Sequence, residues 1–261
     1  MVHEVLERVD FADAHLGTAL ENLIVDALRW SGESVDIAKL VAAIEAMIET
    51  PLGPQFGGQP LRAITRADRL DEMSFTLTLG QREDGSVRQK TMADVGAAIA
   101  DHLPAGDPLR PWAIQLADGL FTVDLAGHLT GHIDALFRTA GSDGQTRYVV
   151  VDYKTNRLGE SGQPIRLADY HPARLPEAMI HHHYPLQALL YAVATHRYLR
   201  WRLRDYDPHQ HLGGAAYLFA RGMIGPGTPE VDGVPYGVFS WPIPAGLIID
   251  LSDILNGTDH R

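Results

Sequence analysis

Two carboxylates and one lysine stand at the ends of two apolar runs in the middle of the chain. Asp152 and Lys154 follow three consecutive valines, and Asp134 follows Ile133, eighteen residues before Asp152. Side chains alternate between the two faces of a strand, so Asp152 and Lys154 point the same way. Two acids and a lysine on one surface suit a hard divalent cation and a phosphodiester.

A two-stranded hairpin is needed to bring these groups together. Residues 120–138 and 147–153 are rich in strand-forming side chains, and Gly141-Ser142-Asp143-Gly144 between them can reverse the chain. We therefore expect Asp134 to approach Asp152 from the neighbouring strand.

The spacing of apolar residues predicts the elements around this hairpin. Helical periodicity runs over residues 3–30, with a break near 11–15, and over 35–48, 91–103, 181–204 and 247–255. Alternation predicts a strand at 74–79, an apolar run predicts a buried strand at 215–220, and a polar turn is expected at 81–86. Residues 155–179 are polar and interrupted by three prolines, which predicts a long loop. Strands mixed with flanking helices favour one α/β domain over residues 1–261.

Composition excludes several classes of protein. The chain has 261 residues and no cysteine, so disulfides, thiolate zinc sites and cysteine-ligated clusters are ruled out. It has no apolar stretch near the ~20 residues that span a bilayer and no signal peptide, so we expect a cytoplasmic protein with no membrane contact. The net charge of −11 counts against strong DNA affinity without a partner, although residues 62–69 and 196–204 are locally basic.

Other polar residues carry weaker signals, and D-x-K alone is also weak because so short a pattern arises by chance. His3, near Glu7, reads from its position as a frayed terminal histidine. Residues 181–183 are three histidines that fan around a regular helix, so we interpret them as solvated or facing substrate. Gln187 and Tyr191 share a helical face, either as the polar edge of a core helix or as a pair that contacts DNA or supports the metal site.

A series of ordered motifs resembles a known family. In chain order they are Gly131-His-Ile-Asp134, Val151-Asp-Tyr-Lys-Thr-Asn156, Tyr184-Pro-Leu-Gln187-Ala-Leu-Leu-Tyr191 and Gly213-Gly-Ala-Ala-Tyr-Leu-Phe219. The series resembles the C-terminal nuclease domain of RecB, the beta subunit of bacterial exodeoxyribonuclease V, within the PD-(D/E)xK superfamily. The resemblance covers nearly the whole chain and is densest from 128 to 222. It implies a restriction-endonuclease-like core, in which helices flank a central mixed β-sheet.

The resemblance also implies roles for individual residues. The catalytic groups are Asp134, Asp152 and Lys154, and the cation is held by His3, Asp134, Asp152 and the backbone carbonyl of Tyr153. The first-helix motif that begins at Val2-His3 brings His3 into this set, in place of the frayed histidine expected from position alone. The family's Q-x-x-x-Y motif falls on Gln187 and Tyr191. Mg²⁺ is the expected cation, with Mn²⁺ as the alternative, and Ca²⁺ is expected to bind without supporting cleavage.

Partners and alternatives follow from the same resemblance. It implies a metal-dependent DNA nuclease of double-strand-break processing and recombinational repair, acting on single- or double-stranded ends with RecC- and RecD-like subunits or a separate helicase. The RecA recombinase is a further expected partner. Because no Walker A sequence is present and the chain starts two residues before His3, we expect a nuclease domain without its helicase, as an excised domain, a split gene product or a truncated remnant. The alternatives are a catalytically weak protein-interaction module and, less favoured, a nuclease acting on RNA or tRNA.

Overall fold

The computed structural model describes residues 1–29, 35–80, 90–121, 124–141 and 144–257. Its α-helices are α1 (Val2–Arg8), α2 (Leu16–Leu28), α3 (Ile37–Glu49), α4 (Met92–His102), α5 (Arg110–Ala117), α6 (Leu175–His181), α7 (Tyr184–Arg202), α8 (Pro208–His211) and α9 (Ala245–Leu255). Its strands are β1 (Arg69–Leu79), β2 (Lys90–Thr91), β3 (Asp124–Leu125), β4 (Gly127–Ala140), β5 (Thr146–Lys154), β6 (Leu212–Phe219), β7 (Glu230–Val231), β8 (Val234–Pro235) and β9 (Val238–Trp241). Short 3-10 helices lie at Pro54–Phe56, Leu61–Ala63, Arg66–Asp68, Leu167–Tyr170, Pro172–Arg174 and Ala220–Gly222.

A five-stranded mixed sheet organises the fold, in the order β1-β4-β5-β6-β9. β4 and β5 are antiparallel, with Ala135 opposite Val151 and Phe137 opposite Val149. β6 and β9 are also antiparallel, and β2-β3 and β7-β8 form two small separate sheets. Valines favour the central strand because their branched side chains pack well on a pleated, buried surface. The sheet with its helices confirms the predicted α/β class.

The first compact unit consists of Met1–Met73, Ile133–Leu175 and Ala215–Trp241. Helix α2 packs against both α1 and α3 here, and the three helices contribute to one apolar core with β4, β5 and β6. Within that core, the rings of Phe11 and Phe56 both meet the ring of Phe137 edge-on, with centroids 6.5 and 6.4 Å away. Asp36 begins α3 by accepting a hydrogen bond from the backbone N–H of Lys39 (3.1 Å), which is a standard N-cap.

The second unit consists of the described parts of Ser74–His132, Pro176–Gly214 and Pro242–Arg261. Here α4 packs against α5 and α9, and α7 packs against α9. Gly96 allows the close approach of α4 and α5, since a Cβ at this position would lie 2.3 Å from the backbone N of Ala117. An aliphatic cavity of about 290 Å³ lies within this unit, lined by leucines of α7 and α9 together with residues such as Met92 and Val95.

Most predicted elements are found. The helix expected over residues 3–30 is broken where predicted, between α1 and α2, and the helices expected at 35–48, 91–103 and 247–255 are α3, α4 and α9. No helix among the described residues is long and apolar enough to cross a membrane. The turn expected at 81–86 and the central residues of the turn at 141–144 fall outside the described residues.

Two predicted segments differ from the structure. The helix expected over 181–204 is α7, which starts only at Tyr184, because His183 has a left-handed backbone conformation (φ +58°) that interrupts the helix after α6. The three histidines therefore do not lie on one regular helix, and the helix prediction is wrong there. All three are exposed, which agrees with their interpretation as solvated. The long loop expected over 155–179 contains two 3-10 helices and most of α6. Pro172 starts the second 3-10 helix and Pro176 lies in the first turn of α6, where a proline is tolerated.

Candidate active site

The hairpin of β4 and β5 places the predicted catalytic carboxylates side by side. Continuing the register by one pair beyond Ala135 and Val151 sets Asp134 opposite Asp152, so their side chains share a face. The backbone N–H of Tyr153 donates a hydrogen bond to Oδ2 of Asp134 (3.0 Å), which fixes that carboxylate at the strand end. The Tyr153 side chain points the other way and is fully buried in the core of the first unit, as the alternation of β5 predicts.

Asp152 and Lys154 form a buried ion pair on this face. The Lys154 Nζ atom lies 2.5 Å from Asp152 Oδ2, and the Lys154 and Asp152 side chains are only 12% and 1% exposed. Burial raises the pKa of Asp152 to about 6 and the neighbouring Asp134 carboxylate acts in the same direction, whereas the Lys154 ammonium opposes both. A bound cation would stabilise the ionised form of this buried carboxylate, since positive charge offsets the penalty of burial.

His3 joins the same cluster from α1. Its Nε2 atom donates a hydrogen bond to the backbone carbonyl of Tyr153 (2.6 Å) and lies 3.7 Å from Asp134 Oδ2. The His3 side chain remains 43% exposed, so it borders on solvent at the edge of the cluster. The structure therefore brings together three of the four predicted metal donors, namely His3, Asp134 and the Tyr153 carbonyl, and sets the Asp152–Lys154 pair beside them.

Two arginines hold α1 in place, and they were not predicted from sequence. The Arg69 guanidinium donates hydrogen bonds to the carbonyls of Glu7 and Val9 at the end of α1, pairs with Asp71 (3.1 Å) and stacks over the ring of Phe11 (4.0 Å). Arg66 donates to the carbonyls of Glu7 and Arg8. Cations at a helix C-terminus are favourable because they satisfy its last carbonyls. Together with the burial of Val5 and Leu6, these bonds anchor the helix that carries His3.

The arginines of the basic segment 62–69 bond to the chain itself, although only Arg69 is buried and Arg66 remains exposed. Arg62 donates hydrogen bonds to the carbonyls of Phe11 (2.7 Å) and Asp13 (2.8 Å), in the connection between α1 and α2. The guanidiniums of this segment therefore fix the end of α1 and the chain after it through backbone carbonyls.

Two further carboxylates lie beside His3. Glu7 is one helical turn after His3, and both residues line an open depression of about 660 Å³ with Asp71 and Glu72. The pKa of Glu7 is raised, first by burial and then by the nearby carboxylates of Glu72 and Asp134. Glu72 has a left-handed backbone conformation (φ +49°) inside β1, which is uncommon outside glycine. The i, i+4 spacing of His3 and Glu7 was a usable sequence signal, whereas nothing in the sequence indicated the turn of Glu72.

Gln187 and Tyr191 belong to the second unit. Gln187 Nε2 donates a hydrogen bond to the Tyr191 hydroxyl (2.9 Å), so the pair does share one face of α7 as the spacing predicts. The Tyr191 ring also meets the Phe75 ring edge-on, with centroids 5.7 Å apart. Their role in contacting DNA or supporting the metal stays a prediction.

The donors near His3 fit a divalent cation in kind. In the described parts of the chain, no three His, Asp or Glu side chains already meet as a metal centre. The cluster instead combines one imidazole, one carboxylate and one main-chain carbonyl, with a second carboxylate across the strand pair. Carboxylate and carbonyl oxygens suit Mg²⁺ and Mn²⁺, and imidazole is acceptable to Mn²⁺. A cation would bind the lone pair of His3 Nε2 and would replace the proton that Nε2 donates to the Tyr153 carbonyl.

Comparison with known proteins agrees with this geometry. The sequence model of the PD-(D/E)XK nuclease superfamily matches residues 1–232. The chain belongs to this superfamily. Its candidate site residues, Asp134, Asp152 and Lys154, occupy one strand pair of the mixed sheet, and the predicted family is confirmed.

The chain is also similar to individual bacterial proteins, all of them RecB subunits. It is 45% identical over 258 residues to the RecBCD enzyme subunit RecB of Mycolicibacterium smegmatis, covering 98% of this chain and 23% of that protein. Similarity to the RecB subunits of Mycobacterium tuberculosis (46% over 262 residues) and Escherichia coli (30% over 257 residues) also covers 98% of the chain. The matched region is the C-terminal part of RecB, and the chain spans 23% and 19% of the length of the mycobacterial and Escherichia coli proteins.

Proposed function

We propose that this chain is a metal-dependent deoxyribonuclease domain that hydrolyses phosphodiester bonds during double-strand-break processing and recombinational repair. The observation that carries the proposal is the meeting of His3 Nε2, Asp134 Oδ2 and the Tyr153 carbonyl beside the buried Asp152–Lys154 pair. Membership of a nuclease superfamily supports the reaction class. We further propose that residues 1–261 act as one nuclease domain, of the kind found in exodeoxyribonuclease V.

The proposed mechanism divides the work among these residues. His3, Asp134, Asp152 and the Tyr153 carbonyl would hold Mg²⁺ or Mn²⁺, which supplies Lewis acidity toward the scissile phosphate. Lys154 donates hydrogen bonds toward the charge that develops on the phosphate, and Asp152 holds its ammonium in position at 2.5 Å. The Lys154 ammonium also lies 5.3 Å from the centre of the Tyr217 ring, which limits how far it can swing. Ca²⁺ would occupy the same donors without supporting cleavage.

The proposed substrate is a DNA end, delivered by partner proteins. The relatives are subunits of the RecBCD enzyme, so RecC- and RecD-like subunits or a separate helicase are the proposed partners. A net charge of −11 repels DNA at long range and makes delivery by a partner valuable. Binding of a RecA-type recombinase and a cytoplasmic location complete this proposal.

A cleavage assay tests the proposed reaction. The purified chain is incubated with linear single- and double-stranded DNA in Mg²⁺, Mn²⁺, Ca²⁺ or EDTA, beside Lys154→Ala and Asp152→Ala. We expect cleavage in Mg²⁺ and Mn²⁺ only, and a loss of at least about 10²-fold in either variant, which is typical when an electrostatic catalytic group is removed. Lys39→Ala is the matched control, because Lys39 is an exposed lysine on α3 that pairs with Asp36 at the helix start.

The same assay decides between the nuclease and the interaction module. Equal cleavage by wild type and Lys154→Ala would overturn the assignment of the site. No cleavage by the wild type in any cation, together with retained binding of a recombinase or a RecC-like subunit, would favour the non-catalytic module.

A further inference from the structure

The chain beyond Lys154 is pinned to the first unit by one tyrosine. Tyr170 is fully buried, and its hydroxyl donates a hydrogen bond to the carbonyl of Asn156 (2.9 Å) and accepts one from the N–H of Leu158 (3.2 Å). The Tyr170 carbonyl accepts a hydrogen bond from Gly237 N–H (2.9 Å), which connects Tyr170 to the segment before β9. The residues that follow the catalytic lysine are thus held in one conformation, and Arg157 lies between the two pinned positions.

A second arginine is fixed at the same place from another part of the chain. Arg221, directly after β6, donates a hydrogen bond from Nε to the carbonyl of Thr155 (2.9 Å). Both Arg157 and Arg221 are exposed. Burial raises the pKa of the Tyr170 hydroxyl and Asp169 acts in the same direction, whereas the Leu158 N–H, Arg221 and Arg157 lower it. Two exposed arginines, Arg157 in the pinned segment and Arg221 bonded to it at Thr155, therefore belong to the stretch that directly follows Lys154.

These two charges lack the acidic partners that seven other arginines have. Within the described residues, neither Arg157 nor Arg221 has a carboxylate oxygen within 4.0 Å. Arginines that do form ion pairs are Arg8, Arg29, Arg62, Arg66, Arg69, Arg138 and Arg174. The nearest buried carboxylate along the chain, Asp169, pairs with Arg174 (3.4 Å) and accepts from the N–H of Arg166 (2.9 Å). An anion from outside the chain is then the natural partner of the two guanidiniums.

We propose that Arg157 and Arg221 bind phosphate groups of the DNA strand next to the bond that is cut. This inference rests on the proposed nuclease function, since it names the part of the substrate that these side chains contact. A guanidinium presents two parallel N–H donors that match two phosphate oxygens, and its charge does not depend on pH in the working range. Such contacts fix the register of a strand without reading its sequence. They position the phosphodiester against Lys154 and counter the repulsion from a chain of net charge −11.

DNA binding, measured in EDTA so that cleavage does not interfere, tests the role of the two arginines. The affinity for a fluorescent single-stranded oligonucleotide is measured by anisotropy in EDTA, at several salt concentrations, for wild type, Arg157→Gln, Arg221→Gln and the double variant. Each lost phosphate contact should reduce the slope of log K against log[salt] by about 0.7, and the double variant by about 1.4. Arg138→Gln is the matched control, since Arg138 is half exposed but paired with Asp68 (2.7 Å), and its slope should equal that of wild type.

Two further variants separate charge from fold. Arg221→Lys keeps the charge and should retain most of the salt slope, whereas Arg221→Gln should not. In cleavage assays with Mg²⁺, both glutamine variants should raise KM several-fold with kcat nearly unchanged, because binding of ground state and transition state is lost equally. A merely structural role would lower the unfolding midpoint of Arg221→Gln and Arg221→Lys together.

Several results would overturn the proposal. Unchanged affinity and slope in the double variant would do so, as would a wild-type chain that does not bind the oligonucleotide at all. Failure of the nuclease function looks different: the wild type would bind DNA and lose affinity on substitution of the arginines, yet cut nothing in any cation.

Discussion

The stability of the Asp152→Asn variant, relative to that of the wild type, should increase as the pH rises. Burial raises the pKa of Asp152 from 3.8 to about 6, so between these values the folded state holds a proton that the unfolded state has released. Stability of the wild type therefore falls as pH rises through this window, because ionising a buried carboxylate is unfavourable. Over the whole window the contribution is about 3 kcal/mol, and between pH 4.5 and 7.5 it is about 2 kcal/mol. The substituted asparagine side chain cannot titrate and keeps nearly the same shape.

The measurement is urea unfolding of wild type and Asp152→Asn in EDTA across pH 4.5 to 7.5. The difference between their free energies of unfolding should shift by about 2 kcal/mol in favour of the variant as pH rises. Any constant offset from loss of the ion pair with Lys154 cancels in this comparison. Added Mg²⁺ should then stabilise the wild type at pH 7.5 and have a smaller effect on the variant, since the cation binds the folded carboxylate. A difference that is flat with pH would show that Asp152 is not confined as the structure indicates.

Two other predictions concern the elements around the site. Arg69→Met should lower the free energy of unfolding by about 3–5 kcal/mol, because Asp71 and the carbonyls at the end of α1 lose their buried partner. The control Arg8→Met, at the exposed Arg8–Glu4 pair, should change it by less than about 1 kcal/mol. Equal losses in the two variants would refute the anchoring of α1 by Arg69. Burial lowers the pKa of His196 from 6.5 to about 4, so its neutral form is required in the fold and stability should fall by about 3 kcal/mol as pH drops from 6.5 to 4. The free energies of unfolding of wild type and His196→Asn, measured in urea, should approach each other as the pH falls over that range. A difference that does not change with pH would contradict this prediction.

The centre of the site could be predicted because it depends on local rules. Strand alternation and a short reversal are enough to place Asp152 and Lys154 on one face and Asp134 opposite them. Three valines made β5 recognisable as a buried strand, and the motif series identified the family. These features need no knowledge of contacts between distant parts of the chain.

The position of His3 could not be derived from its own surroundings. Local reasoning gave a frayed terminal histidine, and only the family resemblance indicated a ligand. In the structure α1 is held by arginines about 60 residues away along the chain, and His3 meets a carbonyl 150 residues away. Contacts of this separation depend on the whole fold, which a periodicity argument does not contain.

The segment after Lys154 shows the same limit. Its polarity and prolines predicted a long loop, but the buried Tyr170 hydroxyl holds Asn156 and Leu158 in place. The break at His183 was also hidden, since a positive φ at a histidine has no reliable sequence signature. In the segment after Lys154, tertiary contacts overrode the local preference.

The most direct test of the site is to locate a bound cation. Crystals of the chain soaked in Mn²⁺, with anomalous scattering recorded at the manganese edge, would show where the ion lies. We predict one principal peak in contact with His3 Nε2, the carboxylates of Asp134 and Asp152, and the carbonyl of Tyr153, at the ~2.0–2.4 Å typical of such ligands. The peak should disappear in Asp134→Ala. A principal peak elsewhere, in a chain that cleaves DNA with Mn²⁺, would contradict the account.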